Sequence, residues 1–188
     1  MADQPRQPRS GRQPGFIVRF ARDQGGVAAI EFAFVALPFL MLIFAIIELG
    51  LVSLVSITLE NAIVDAGRTI RTGEVQNNKQ TAAAFKTKVC TGMGWIGVTT
   101  CESALSIDVQ RLPSFQSGAT LQKSATPCWD PGGPNSIILV RAYYQWPLVT
   151  PLLDTGLKSS DGKHEVSAAA LLANEPYSDV EAPPVTCP

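Results

Sequence analysis

Gly26-Val27-Ala28-Ala29-Ile30-Glu31-Phe32 opens the stretch on which the fold turns. From Phe32 to Leu59 there follow 28 residues in which Glu48 is the sole charge. At ~1.5 Å per residue a helix of that length extends ~42 Å, more than the ~30 Å hydrocarbon core of a bilayer. Burying it inside a soluble domain would require apolar partners on every side, which a 188-residue chain hardly supplies. The segment reads as a membrane span. It also accounts for a chain that is 16% charged and 46% hydrophobic, a composition that excludes general disorder.

The two flanks differ. Arg6, Arg9, Arg12, Arg19 and Arg22 stand against Asp3 and Asp23 on the N-terminal side, whereas Glu60 and Asp65 precede Arg68 and Arg71 on the other. Short basic flanks stay in the cytoplasm, so the sequence predicts a single pass with everything beyond about residue 60 outside. Residues 1–26, rich in Gln, Pro, Arg and Gly and without apolar periodicity, read as an unfolded leader. An ordinary secretory signal has a shorter apolar stretch of about 7–15 residues. The string Val64-Asp65-Ala66, which imitates a cleavage site, lies inside a continuing helical pattern.

Glu31 needs a reason to be where it is. A carboxylate at mid-span costs roughly 2.5–3.5 kcal/mol, and less toward the interface. Gly25-Gly26 stands just before it, and glycine lowers helix stability by about 1 kcal/mol, so the chain can open there to a protease. Cleavage after Gly26 leaves Val27 as a cationic N-terminus with Glu31 as the fifth residue. In a low-dielectric layer that amine and carboxylate can pair, within one chain or between neighbours.

A basic leader, Gly, four residues, Glu, an aromatic and an apolar helix together resemble the type IV prepilin processing site. Gly26 to Ala33, then Leu37-Pro38 and Ile46-Ile47-Glu48-Leu49-Gly50, resemble more narrowly the TadE-like minor pseudopilins of the tight-adherence (Flp) pilus system. Farther on, Pro147-Leu148-Val149-Thr150-Pro151-Leu152-Leu153, Val166-Ser167-Ala168-Ala169-Ala170 and Asn174-Glu175-Pro176-Tyr177 follow in an order similar to that family's ending. The family commonly has Arg before the Asn-Glu pair; this chain has Ala173. The resemblance covers roughly residues 25–68 and 136–177 and leaves 72–134 without a counterpart.

What the resemblance implies is a structural subunit, needed for assembly of a pilus or related secretion apparatus. A membrane aspartyl (prepilin) peptidase would process it at Gly26, Val27, Glu31 and Phe32. Its partners would be that peptidase, other pilins or pseudopilins, the assembly machinery and the lipid bilayer. It would sit in the bacterial inner membrane with its outer part in the periplasm. The competing class is an uncleaved, signal-anchored periplasmic domain that binds a ligand or catalyses a reaction.

Within the helix, Pro38 removes one N–H and predicts a kink, either harmless or a hinge used in assembly. Glu48 lies 17 residues after Glu31, or ~25 Å along an ideal helix, which puts the two carboxylates near opposite faces of the bilayer. For Glu48 the sequence favours a solvated position at the outer interface over contact with a partner subunit. Val55, Leu59, Ala62, Ala66 and Ile70 then form an amphipathic stripe, so the helix is expected to continue to about Thr72 and end at Gly73.

The fold class expected is α+β, with the long helix packed on a small antiparallel sheet in a pilin-like arrangement. Leader 1–26, assembly helix 27–72 and outer domain 73–188 are the expected divisions. Leu105, Ile107 and Val109 alternate with Ser106, Asp108 and Gln110 as a half-buried strand. Ser136 to Trp146 and His164 to Leu172 are two more strand candidates, though three alanines in the last leave helix open. Residues 73–90 leave room for a short second helix. Cys90, Cys101, Cys128 and Cys187 all fall in the outward part, an even set suited to two disulfides with three possible connectivities, of which one has Cys90 with Cys101 closing a short loop and Cys128 with Cys187 pinning the tail.

The chemistry of other classes is missing from the pattern. Zinc wants clustered ligands, but there is no Cys-x-x-Cys pair and His164 is the one histidine, so neither a metal nor another cofactor is expected. That histidine, in Asp161-Gly162-Lys163-His164, reads as a solvated turn residue rather than a catalytic base, and no enzyme is expected. Thr91-Gly92-Met93-Gly94-Trp95 lacks the Lys of a phosphate loop. A formal charge of −1 recommends no nucleic acid. Trp95, Trp129 and Trp146 fit core or membrane-interface roles better than a binding surface.

Overall fold

The computed structural model describes residues 26–120, 126–150, 153, 156–157, 163–178 and 185–187. The leader proper, residues 1–25, lies outside them, as do Pro151 and Leu152. Helix α1 is Val27–Arg71, 45 residues long. Its internal hydroxyls are satisfied by the helix itself, with Ser53 donating to the Leu49 carbonyl at 2.9 Å and Thr58 to that of Leu54 at 2.8 Å. Such back-bonding lets Ser and Thr occupy an apolar helix without unpaired groups.

Helix α1 stops where the sequence predicts. Gly73 takes φ +78°, and its N–H bonds to the Ile70 carbonyl at 3.1 Å. A Cβ on Gly73 would lie 2.8 Å from the Tyr177 ring, so both conformation and space demand glycine there. Two short helices follow, α2 (Glu74–Asn77) and α3 (Ala82–Gly92), the latter capped by Thr81, whose hydroxyl accepts from the Ala84 N–H at 3.3 Å. A 3₁₀ turn at Gly94–Ile96 leads into α4 (Val98–Ala104).

The sheet is antiparallel in the order β1-β2-β3, built from β1 (Leu105–Leu112), β2 (Ile137–Pro147) and β3 (Lys163–Ala173). Between β1 and β2 lies a second 3₁₀ element, Phe115–Thr120. The alanines of β3 are in a strand, not a helix: Ala168, Ala169 and Ala170 pair with Ala142, Arg141 and Val140. Small residues there allow close approach, since a Cβ on Gly67 of α1 would meet Leu172 Cδ2 at 3.0 Å. His164, expected in a solvated turn, is instead half-buried on β3 opposite Trp146, with Nδ1 2.9 Å from the Leu157 carbonyl.

The chain divides into two units, one up to Ile43 and one from Phe44 onward. In the second, the α1 stripe Val55, Leu59, Ala62, Ala66 and Ile70 is buried throughout. It shares one apolar core with Phe85 and Val89 of α3, Val109 of β1 and Ile138, Val140 and Tyr144 of β2. Each fully buried Val, Leu, Ile or Phe is worth about 1.5–3 kcal/mol, so this face of α1 is the spine of the second unit. The architecture is α+β.

Candidate functional site

The candidate site is α1 itself, and its first stretch is bare. From Val27 to Leu42 the large apolar side chains are exposed, Phe32 at 74% and Phe34 at 77%. Helix α1 is long and apolar enough to cross a membrane, and only 6% of its most apolar 18-residue window is buried. A core helix of a soluble protein would be mostly covered. Beside Pro38 the surface forms an apolar groove of about 380 Å³ lined by Ile30, Ala33, Phe34, Leu37 and Pro38.

Gly26 and Val27 are exposed, and a Cβ on Gly26 would meet no atom of the described residues within 4 Å. Glu31 is exposed and has no hydrogen-bond or ionic partner among the described residues. Val27 and Glu31 are four residues apart on one helix, so their side chains share a face and an amine created at Val27 would be within reach of the carboxylate.

Glu48 corrects the expectation of a solvated carboxylate. It is 6% exposed, and its two oxygens accept from the backbone N–H groups of Val149 at 2.5 Å and Thr150 at 2.8 Å. The carboxylate thus bonds to the chain segment that leaves β2, and water is largely shut out. Phe44, Ile47, Leu51, Trp146, Val149 and Thr150 surround it, lining an apolar recess of about 170 Å³. Nothing local in the sequence marks this contact, because its partners are 101 and 102 residues away.

The unit from Phe44 onward is locked by bonds that the sequence suggests or hides. Cys90 pairs with Cys101 and Cys128 with Cys187, so all four thiols are in disulfides. The second bridge brings Thr186 beside Trp129, which in turn bridges to Val109 of β1. Asp108, expected on the polar side of its strand, is buried there against Arg141, its cross-strand partner, with Nε to Oδ2 at 3.0 Å. Buried Gln76 and Asn174 both donate to the Pro131 carbonyl at 3.0 Å, and Asn174 also donates to that of Gly133 at 2.9 Å. Next to Asn174, Glu175 meets Arg71 at 3.2 Å while its N–H bonds to the Arg71 carbonyl. The Asn-Glu pair therefore fastens the end of α1 to the loop after Trp129.

The tryptophans divide. Trp129 is buried in the core, 5.4 Å from Phe85 between ring centroids, whereas Trp95 is half-exposed and 6.4 Å from Trp146.

Residues 26–68 match the TadE-like protein family. The TadE-like segment begins on Gly26, includes Glu31, Pro38 and Glu48, and ends within the buried stripe of α1. The resemblance read from the sequence thus holds over these residues; the match does not extend to 136–177. No curated protein and no solved structure matches the chain.

Proposed function

We propose that this chain is a minor pseudopilin, a structural subunit of a tight-adherence (Flp) pilus or a related secretion apparatus, with no catalytic role. What carries this is the TadE-like match, which starts at Gly26 on a helix whose first turns are exposed and apolar. The leader stays in the cytoplasm, α1 crosses the inner membrane once, and the unit beyond it faces the periplasm. A prepilin-type membrane peptidase cuts after Gly26 and frees the Val27 amine. Glu31 then pairs with an N-terminal amine, its own or a neighbour's, which offsets the cost of a carboxylate in the bilayer and sets the stagger between packed helices. Phe32 and the groove beside Pro38 offer the apolar surface against which a neighbouring helix of the assembly machinery packs.

Mass spectrometry of the protein from its native membrane tests this directly. A mature N-terminus at Val27 is expected, and co-expression with the peptidase should convert an uncut pool to that form. An N-terminus at Met1 or Ala2 in assembled membranes would leave only a signal-anchored outer domain.

A further inference from the structure

The unit from Phe44 onward has an apolar patch that no assembly contact in the preceding proposal uses. Val149 is 84% exposed, follows uncharged Pro147 and Leu148, and lies beside Phe44, Ile47, Leu51 and Trp146. Trp146 neighbours half-exposed Trp95. Among the described residues, Glu48 is the one charged side chain that lines this recess. An exposed valine beside a tryptophan pair is a composition found at a membrane–water boundary.

We infer that this patch is a lipid-seating surface, with Val149 dipping into the outer leaflet at the headgroup–acyl boundary and Glu48 acting as the residue that positions it there. The inference rests on α1 spanning the membrane and deepens that proposal. By residue count Glu48 is 21 positions after Val27, or ~32 Å along a helix, about the thickness of the hydrocarbon. The first fully buried side chain of α1 is Ala45, so the folded unit begins to cover the helix where the hydrocarbon ends. Phe44, Ile47 and Leu51 belong to the same apolar run as the span, interrupted there by Glu48 alone, whose oxygens are met by backbone donors, which makes lipid rather than a protein partner the occupant.

The hydrogen bonds explain how backbone can be brought so low. An extended segment cannot enter an apolar boundary with free N–H groups, and a carboxylate cannot stay there without donors. Glu48 meets both needs at once, taking the N–H groups of Val149 and Thr150. The charge is held by donors from the protein, so the segment needs no water at its two lowest peptide groups.

The test uses the full chain in phosphatidylcholine–phosphatidylglycerol vesicles at low protein density. Nitroxide labels are placed singly at Val149→Cys, Phe34→Cys and Asn78→Cys without reduction, so the native disulfides stay closed. Collision with oxygen, which favours lipid, is compared with collision with a water-soluble nickel chelate. The expected ratio at position 149 is about threefold or more above that at exposed Asn78, and it is highest at Phe34. If 149 is as open to nickel as 78 while 34 remains in lipid, this inference falls and the span stands. If 149 is shielded from both reagents, a protein covers it and the inference again falls. If 34 itself is open to nickel, the span fails and this inference with it. Glu48→Ala should move 149 toward the aqueous ratio, with Glu48→Gln, which keeps an acceptor, restoring part of the shift. An unchanged ratio in both variants would remove Glu48 from the positioning role.

Discussion

Residues Val27–Ile43 and Phe44–Arg71 belong to one helix and share one apolar vocabulary, yet they live in different surroundings. In the first, phenylalanines and leucines are exposed around the helix and the carboxylate, Glu31, has no protein partner among the described residues. In the second, a stripe from Val55 to Ile70 is buried and Glu48 is bonded to backbone. Hydropathy alone would not separate them; what differs is whether the apolar positions recur at three and four or occur on every face. Recurrence marks a helix that has a core to join. Apolarity all round marks one whose solvent is lipid or other subunits.

The sharpest way to break this contrast is to dismantle the second region and ask whether the first survives. Replacing Cys128 and Cys187 by Ser should cost about 4 kcal/mol, against about 3 kcal/mol for Cys90 and Cys101, because the first pair closes the longer loop. The sequence separations are 59 and 11. Unfolding in detergent, followed by tryptophan fluorescence, should show that order, while circular dichroism retains the helicity of residues 27–43. Simultaneous loss of all helix would mean that the two stretches are one cooperative structure. Next in size is Leu59→Ala, which empties a fully buried site and should cost about 2–5 kcal/mol. Phe34→Ala, at an exposed site, should change the same transition by less than about 0.5 kcal/mol.

The carboxylates sharpen the comparison further. Glu48→Ala leaves the N–H groups of Val149 and Thr150 without their acceptor and should destabilise the outer unit by about 2 kcal/mol. Glu31→Ala should leave that unit's unfolding unchanged and instead abolish incorporation into pili, scored by counting pili in the native host. Gly73→Ala is a smaller effect of about 1–2 kcal/mol, since alanine must take φ +78° against the Tyr177 ring. Its cost should appear in the same fluorescence transition as that of Leu59→Ala.

The sequence disclosed this division because the features that make it are local. Every residue of the stripe from Val55 to Ile70 proved buried, and α1 ends at Arg71, one residue from the expected Thr72. The three strands lie where alternation placed them, within one or two residues at each end. What stayed hidden depends on contacts between distant parts of the chain. Glu48 looks like an interfacial carboxylate until Val149 and Thr150 are seen to fold back on it. Asp108 looks like the solvated side of a strand, although opposite charges on two facing strands, Asp108 and Arg141, were a signal that a register would have revealed. Helix α4 is masked by Val98, Thr99 and Thr100, which favour strand, and tertiary context through the Cys90–Cys101 bridge overrides that preference. Gly26, Val27, Glu31 and Phe32, proposed as the processing residues, are legible for the opposite reason: they fall within seven consecutive residues, read against the cost of burying charge.

The smallest effect concerns alkaline pH, and it too separates the regions, because the chain's tyrosines are Tyr143, Tyr144 and Tyr177 and none lies in 27–43. Burial raises Tyr144 above its ordinary value, and burial likewise raises Tyr177, opposed in part by its hydrogen bond with Asn174. A phenol whose folded-state pKa is raised holds its proton more tightly when folded. The stability it contributes is present below the unfolded value near 10 and is lost as pH climbs through the folded value. Unfolding of the outer unit should therefore shift to lower denaturant above about pH 10. Tyr177→Phe should flatten part of that slope, and helicity of residues 27–43 in detergent should be indifferent to it. A pH slope that survives Tyr177→Phe in full would assign the effect to Tyr144, whose ring lies in the core beneath β2.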